Sequence, residues 1–148
     1  MKLAINTGNN ALNYSITADE IKASSSLDLL YTSLTGNAQN NKLNVNLQVR
    51  DAAKKERYRV AGALTILQDE YQFSFLKNGL VLNYEPWAVN DDNTLEFGAK
   101  GLLANDFSIT HSNEIFIIKS EVQQRKAPVT INFTNFRIET LSRAAKQD

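Results

Sequence analysis

From Leu43 to Val49 every second residue is apolar: Leu43, Val45, Leu47 and Val49 alternate with Asn44, Asn46 and Gln48. A period of two fits an extended chain, whose side chains point alternately to opposite faces, with one face buried and the other wet. The same pattern recurs in Tyr58–Ile66, Tyr71–Phe75, Leu80–Tyr84, Trp87–Val89, Leu95–Phe97, Phe107–Ile109 and Val129–Phe133, and less cleanly in Leu12–Ile16 and Leu27–Tyr31. Ile115–Ile118 is apolar throughout, a strand's length. The expectation is a mostly β chain.

Turn formers separate these runs. Thr7-Gly8-Asn9-Asn10, Thr35-Gly36-Asn37, Lys77-Asn78-Gly79, Asn90-Asp91-Asp92-Asn93 and Ala104-Asn105-Asp106 all tolerate left-handed backbone angles. Asn78-Gly79 between apolar runs is the strongest short hairpin signal. Strands recur about every ten residues, which reads as an antiparallel meander of about ten strands. Helix formers appear only in Arg137–Gln147, where a short closing helix is expected. With no linker or low-complexity stretch, residues 1–148 read as a single β-rich unit.

The same residues argue against several functions. Sixteen basic side chains balance sixteen acidic ones, so nothing draws the chain generally to nucleic acid. There is no cysteine, hence no disulfide, thiolate metal site or thiol nucleophile. His111 is the one imidazole and reads as a turn residue between strands. The carboxylate pairs Asp19-Glu20, Asp69-Glu70 and Asp91-Asp92 read as solvated turns, not as two acids held across a cleft. The sequons Asn13-Tyr14-Ser15 and Asn132-Phe133-Thr134 are expected by chance in an Asn-rich chain. No catalytic residue, metal ligand or cofactor is expected. No apolar run reaches the roughly 18 residues of a spanning helix, and Met1–Asn6 opens directly into alternation without a leader, which reads as a segment of a longer protein.

The stretch from Leu43 to Leu141 resembles the TamB/AsmA-like family of Gram-negative envelope proteins. The resemblance lies in the alternating strand Leu43–Val49 and the glycine-containing strand Tyr58–Ile66. It continues in Phe73–Val89, where a strand leads to Trp87 with Val89 two places on. Leu95–Phe97, Phe107–Ile117 and the closing Val129–Leu141 complete it, while Ser120-Glu121-Val122 departs from it where a glycine is expected. The resemblance implies a curled, elongated sheet, a β-taco-like trough with an apolar concave face, in the periplasm. It implies an inner-membrane anchor on the full-length protein, phospholipid acyl chains as cargo, and an outer-membrane barrel partner in protein assembly.

Ten strands about 4.8 Å apart give a ladder of roughly 50 Å. Its expected apolar lining is Val45, Leu47, Val60, Leu64, Phe73, Phe75, Leu82, Trp87, Phe107, Ile117, Ile131 and Phe133. The same residues equally suit the core of a closed β-sandwich, an interaction or adhesion module of a surface protein, or a small lipocalin-like barrel, because periodicity marks a buried face without saying what buries it. Pro86 before Trp87 suggests a strand start or edge, with the indole plugging a corner of the core. An open ladder also exposes strand edges, so self-association through an end strand is expected.

Overall fold

The structure, a computed structural model, describes residues 1–24, 27–105 and 107–136. They form one twelve-stranded antiparallel sheet that is not closed into a barrel. A simple meander runs through β1 (Lys2–Gly8), β2 (Ala11–Ser24), β3 (Leu27–Gln39), β4 (Lys42–Arg50), β5 (Glu56–Leu67) and β6 (Glu70–Leu82). The chain then runs through β7 (Glu85–Val89), β8 (Thr94–Gly98), β9 (Gly101–Asn105), β10 (Phe107–His111), β11 (Glu114–Ser120) and β12 (Val129–Thr134). The expected meander and curled sheet are both present. The helix expected over 137–147 lies outside the described residues.

Asparagine makes the tightest corners. Asn9-Asn10 and Asn40-Asn41 hold both residues at positive φ between paired strands, as does Asn83-Tyr84. This double left-handed geometry matches the twist of a two-residue hairpin, and Asn tolerates it better than other residues with a side chain.

The sheet forks at β6. The end of this 13-residue strand, Leu80–Leu82, pairs with β7, while its start, Glu70–Phe73, pairs with β8. One branch continues β7–β10–β11–β12 and the other ends in the β8–β9 hairpin. The branches curl toward each other until the Ala104 N–H on β9 donates to the Ser120 hydroxyl on β11 at 2.9 Å. Both residues are fully buried.

Several turn assignments differ from expectation. Asn78-Gly79 makes no hairpin: both lie within β6, in a bulge where register jumps from Gly62↔Phe75 to Val60↔Leu80. Gly79 is needed there because a Cβ would stand 2.4 Å from the Ala61 carbonyl oxygen. Bulges use the same left-handed residues as hairpins, so the local signal does not separate them. Thr35-Gly36-Asn37 lies inside β3, where a Cβ on Gly36 would meet the Tyr14 hydroxyl at 2.4 Å. Here the glycine serves close packing. Asp19 and Glu20 are exposed residues of β2, and Glu70 is a buried first residue of β6, so neither pair is wholly in a turn. His111 ends β10, and Tyr84 is a turn residue instead of a strand end. Ala104 and Asn105 belong to β9, while Asp106 is outside the described residues.

Candidate functional site: the apolar face

Directly paired residues share a face of a sheet. Register therefore gathers the apolar side chains into rows that cross the molecule. One row runs Leu3, Ile16, Leu34, Leu47, Val60, Leu80, Trp87. A second runs Leu12, Ala38, Leu43, Leu64, Phe73, Leu95, Ala104. A third begins with Ile5 and Tyr14, then passes Gly36, Val45 and Gly62 to Phe75. Beyond the fork the same face carries Val89, Ile109, Phe116 and Phe133, with Phe107, Ile118 and Ile131 beside them.

The two glycines shape this face. A Cβ on Gly62 would stand 2.9 Å from the Phe73 ring, so the ring lies over that glycine as the Tyr14 ring lies over Gly36. The Tyr14 hydroxyl reaches across β3 to donate to the Asn44 carbonyl at 2.8 Å. Burial there raises the phenol above its ordinary pKa. The two rings thus occupy the space beside Val45 that side chains at Gly36 and Gly62 would take.

The face is closed at the fork and at Ala18, Thr32 and Val49 along one end of β2–β4, and open over the rest of β1–β6 and at β12. Around the fork Trp87 is 2 % exposed, and Phe107 and Ala104 are buried. Phe75 packs edge-on against Phe73 with centroids 5.1 Å apart, and against Phe107 at 5.6 Å. Away from it, Leu3 is 62 % and Ile5 59 % exposed, and Leu12, Leu47, Ile66, Tyr71 and Phe97 are exposed as well. At the other edge Ile131 is 54 % and Phe133 56 % exposed. A second layer over the first six strands would have buried Leu3, Ile5, Leu12 and Leu47. The open part of the face spans about 24 Å over β1–β6, five strand spacings.

Of the expected lining residues, Val45, Leu47, Val60, Leu64, Phe73, Phe75, Leu82, Ile131 and Phe133 lie on this face with partial or full exposure. Trp87 and Phe107 share the face but are buried, so they are core at the fork. Ile117 is corrected: it pairs with Ser108 and Asn132 on the opposite face, because its neighbours Phe116 and Ile118 take the apolar one. Sequence reasoning missed Leu3, Ile5, Leu12, Ile16 and Leu34, although alternation in Leu3–Ile5 and Leu12–Ile16 signals them. Pro86 marks no outer edge, since β7 lies between β6 and β10, but β10 pairs only with Ala88 and Val89. The unpaired Pro86 carbonyl instead meets His111 Nδ1 at 3.1 Å, and the imidazole lies 5.4 Å from the Trp87 ring. His111 is thereby committed to packing.

The opposite face is polar over β1–β4. Asn6, Asn13, Asn37 and Asn44 stand in one cross-strand row, beside Ser15, Thr35 and Asn46 in the next. Near the fork Arg125, from the loop between β11 and β12, ion-pairs with both Glu70 and Glu96, and Gln72 donates to Glu96 at 3.0 Å. Among the described residues no group of three or more acidic or imidazole side chains could hold a metal. No family model, curated protein or solved structure matches the chain.

Proposed function

We propose that this chain is a segment of a cell-envelope protein whose apolar trough holds phospholipid acyl chains, serving lipid transport or outer-membrane protein assembly. The observation that carries the reading is the continuous apolar face of β1–β6, exposed at Leu3, Ile5, Leu12 and Leu47 and backed by a polar one. A soluble surface rarely leaves such a patch uncovered. Each methylene removed from water onto it contributes about 0.8 kcal/mol, and the charged side chains on this face, among them Glu20, Lys22 and Asp28 at the far ends of β2 and β3 and Glu85 and Glu114 at the fork, lie outside the Leu3–Leu80 and Leu12–Phe73 rows. Leaving one apolar surface for another costs little, so a lipid passes without an energy source in this segment. The periplasmic setting, the membrane anchor and the barrel partner come from the resemblance to TamB-like proteins.

Native mass spectrometry of the purified chain with phospholipid vesicles tests the reading. Bound phospholipid lost in Leu47→Asp but kept in Gln48→Asp, its neighbour on the polar face, supports it. No bound lipid in the wild type, or equal loss in both variants, favours an interaction module that binds through its loops.

A further inference from the structure

The outer edge of β1 carries an inference independent of any lipid. Every residue of Lys2–Gly8 is exposed, the strand contains neither proline nor bulge to blunt its edge, and its one charged side chain, Lys2, stands at its end. The two-residue turn at Asn9-Asn10 makes Gly8 and Ala11 a hydrogen-bonded pair. Lys2, Ala4, Asn6 and Gly8 therefore bond toward β2. The N–H and C=O groups of Leu3, Ile5 and Thr7 point outward, ready for another strand.

The asparagine row ends at this edge. Asn44 Nδ2 donates to Asn37 Oδ1 at 2.7 Å, and Asn13 Nδ2 donates to Asn6 Oδ1 at 3.2 Å. Both bonds run in the same sense, toward β1. Asn6 thus accepts from within the sheet, while its Nδ2 has no partner among the described residues.

We propose that β1 pairs with β1 of a second copy of this chain, antiparallel about a two-fold axis at Asn6, so that two sheets become one. In this register Asn6 faces Asn6 of the second copy in a non-hydrogen-bonded pair, where side chains approach most closely. Each Nδ2 donates to the other's Oδ1, and the row becomes eight asparagines long. Ile5 and Thr7 exchange backbone bonds with Thr7 and Ile5 of the second copy. The apolar faces join on one side and the polar faces on the other, since paired residues share a face. Lys2 lies opposite Asn10 of the second copy, away from the other Lys2, and a net charge of zero adds no repulsion between copies. A register shifted to centre on Ile5 would set Asn6 against Ala4 and leave the amide unpaired. The β12 edge is a poorer candidate, because Pro128 leads into it.

The chain has no cysteine, so single cysteines report the pairing directly. Asn6→Cys, Ile5→Cys and, on β12, Asn132→Cys are oxidised mildly and read on non-reducing gels. Sedimentation of the wild type and of Ile5→Pro is measured over a wide concentration range. The proposal expects a wild-type dimer, a disulfide-linked dimer from Asn6→Cys in large excess over the other two, and a folded monomer from Ile5→Pro, which removes only an outward N–H. A wild type that stays monomeric throughout overturns it, as does preferential cross-linking of Ile5→Cys or Asn132→Cys.

Discussion

Asn93 takes the place of a missing strand beside Phe75. Its Oδ1 accepts from the Phe75 N–H at 2.6 Å and its Nδ2 donates to the Phe75 carbonyl at 3.4 Å, as a paired residue would. The fork explains the need: β7 pairs with β6 only from Leu80 and β8 only up to Phe73, so on the side away from β5 the backbone at Phe75 has no strand to bond. The same Nδ2 ties down its own turn through the Asn90 carbonyl at 2.7 Å, and Asn90 Oδ1 accepts from the Ser108 N–H at 2.9 Å.

Asn93 is 3 % exposed, so removing its amide strands two backbone groups away from water. Asn93→Ala is expected to destabilise the fold by about 1–3 kcal/mol. Urea unfolding followed by Trp87 fluorescence measures this, and hydrogen exchange should show the Phe75 amide losing protection first.

Arg125 fastens the loop 121–128 over the β8–β9 branch by spanning Glu70 and Glu96. In Arg125→Ala the largely buried Glu70 carboxylate keeps only Lys100, 3.6 Å away. A loss of about 1–3 kcal/mol is expected, smaller than for a fully buried pair because the arginine is partly exposed. Adding Glu70→Gln should restore part of that loss, since the stranded charge is then gone; thermal unfolding of the two variants checks the difference.

Asp51 and Tyr84 link stability to pH at both ends of the scale. Desolvation alone would raise the Asp51 carboxyl. The Tyr84 hydroxyl at 2.9 Å, the Lys55 and Ala53 N–H groups and the Lys55 charge outweigh it and hold the carboxyl below its ordinary value. Its contribution is present above the unfolded value of about 3.9 and is lost as pH falls through the lower folded value. Burial, followed by the Asp51 hydrogen bond and charge, raises the Tyr84 phenol. That contribution is present below the unfolded value of about 10 and is lost as pH rises through the higher folded value. In Tyr84→Phe both losses should shrink, the alkaline one because the phenol is gone and the acid one because the Asp51 carboxyl moves back toward its unfolded value. Denaturant midpoints taken across the pH range report both limbs.

Much of this architecture is written in local pattern. Leu43–Val49 reads directly as β4, and its parity alone places Val45 and Leu47 on the apolar face. What escapes is what depends on partners distant in sequence. Asn78-Gly79 favours a hairpin until Ala61 is known to stand opposite, and the bulge then follows from one close backbone approach. The fork at β6 has no local signature, because two different strands share one long strand end to end. Ile115–Ile118 is apolar on both parities, so only the pairing of Ile118 with Phe107 assigns Ile117 to the other face. Trp87 and Phe107 differ from Phe133 in burial, a property of the curl near the fork that alternation does not encode.

The account centres on an open apolar face that receives acyl chains. The most direct measurement is paramagnetic broadening of methyl NMR signals by phosphatidylcholine carrying a spin label midway along its acyl chain. The account predicts much stronger broadening at Leu47, Leu64 and Val45 than at Ala11, on the polar face. Equal broadening on both faces, or none on the apolar one at lipid excess, would contradict it.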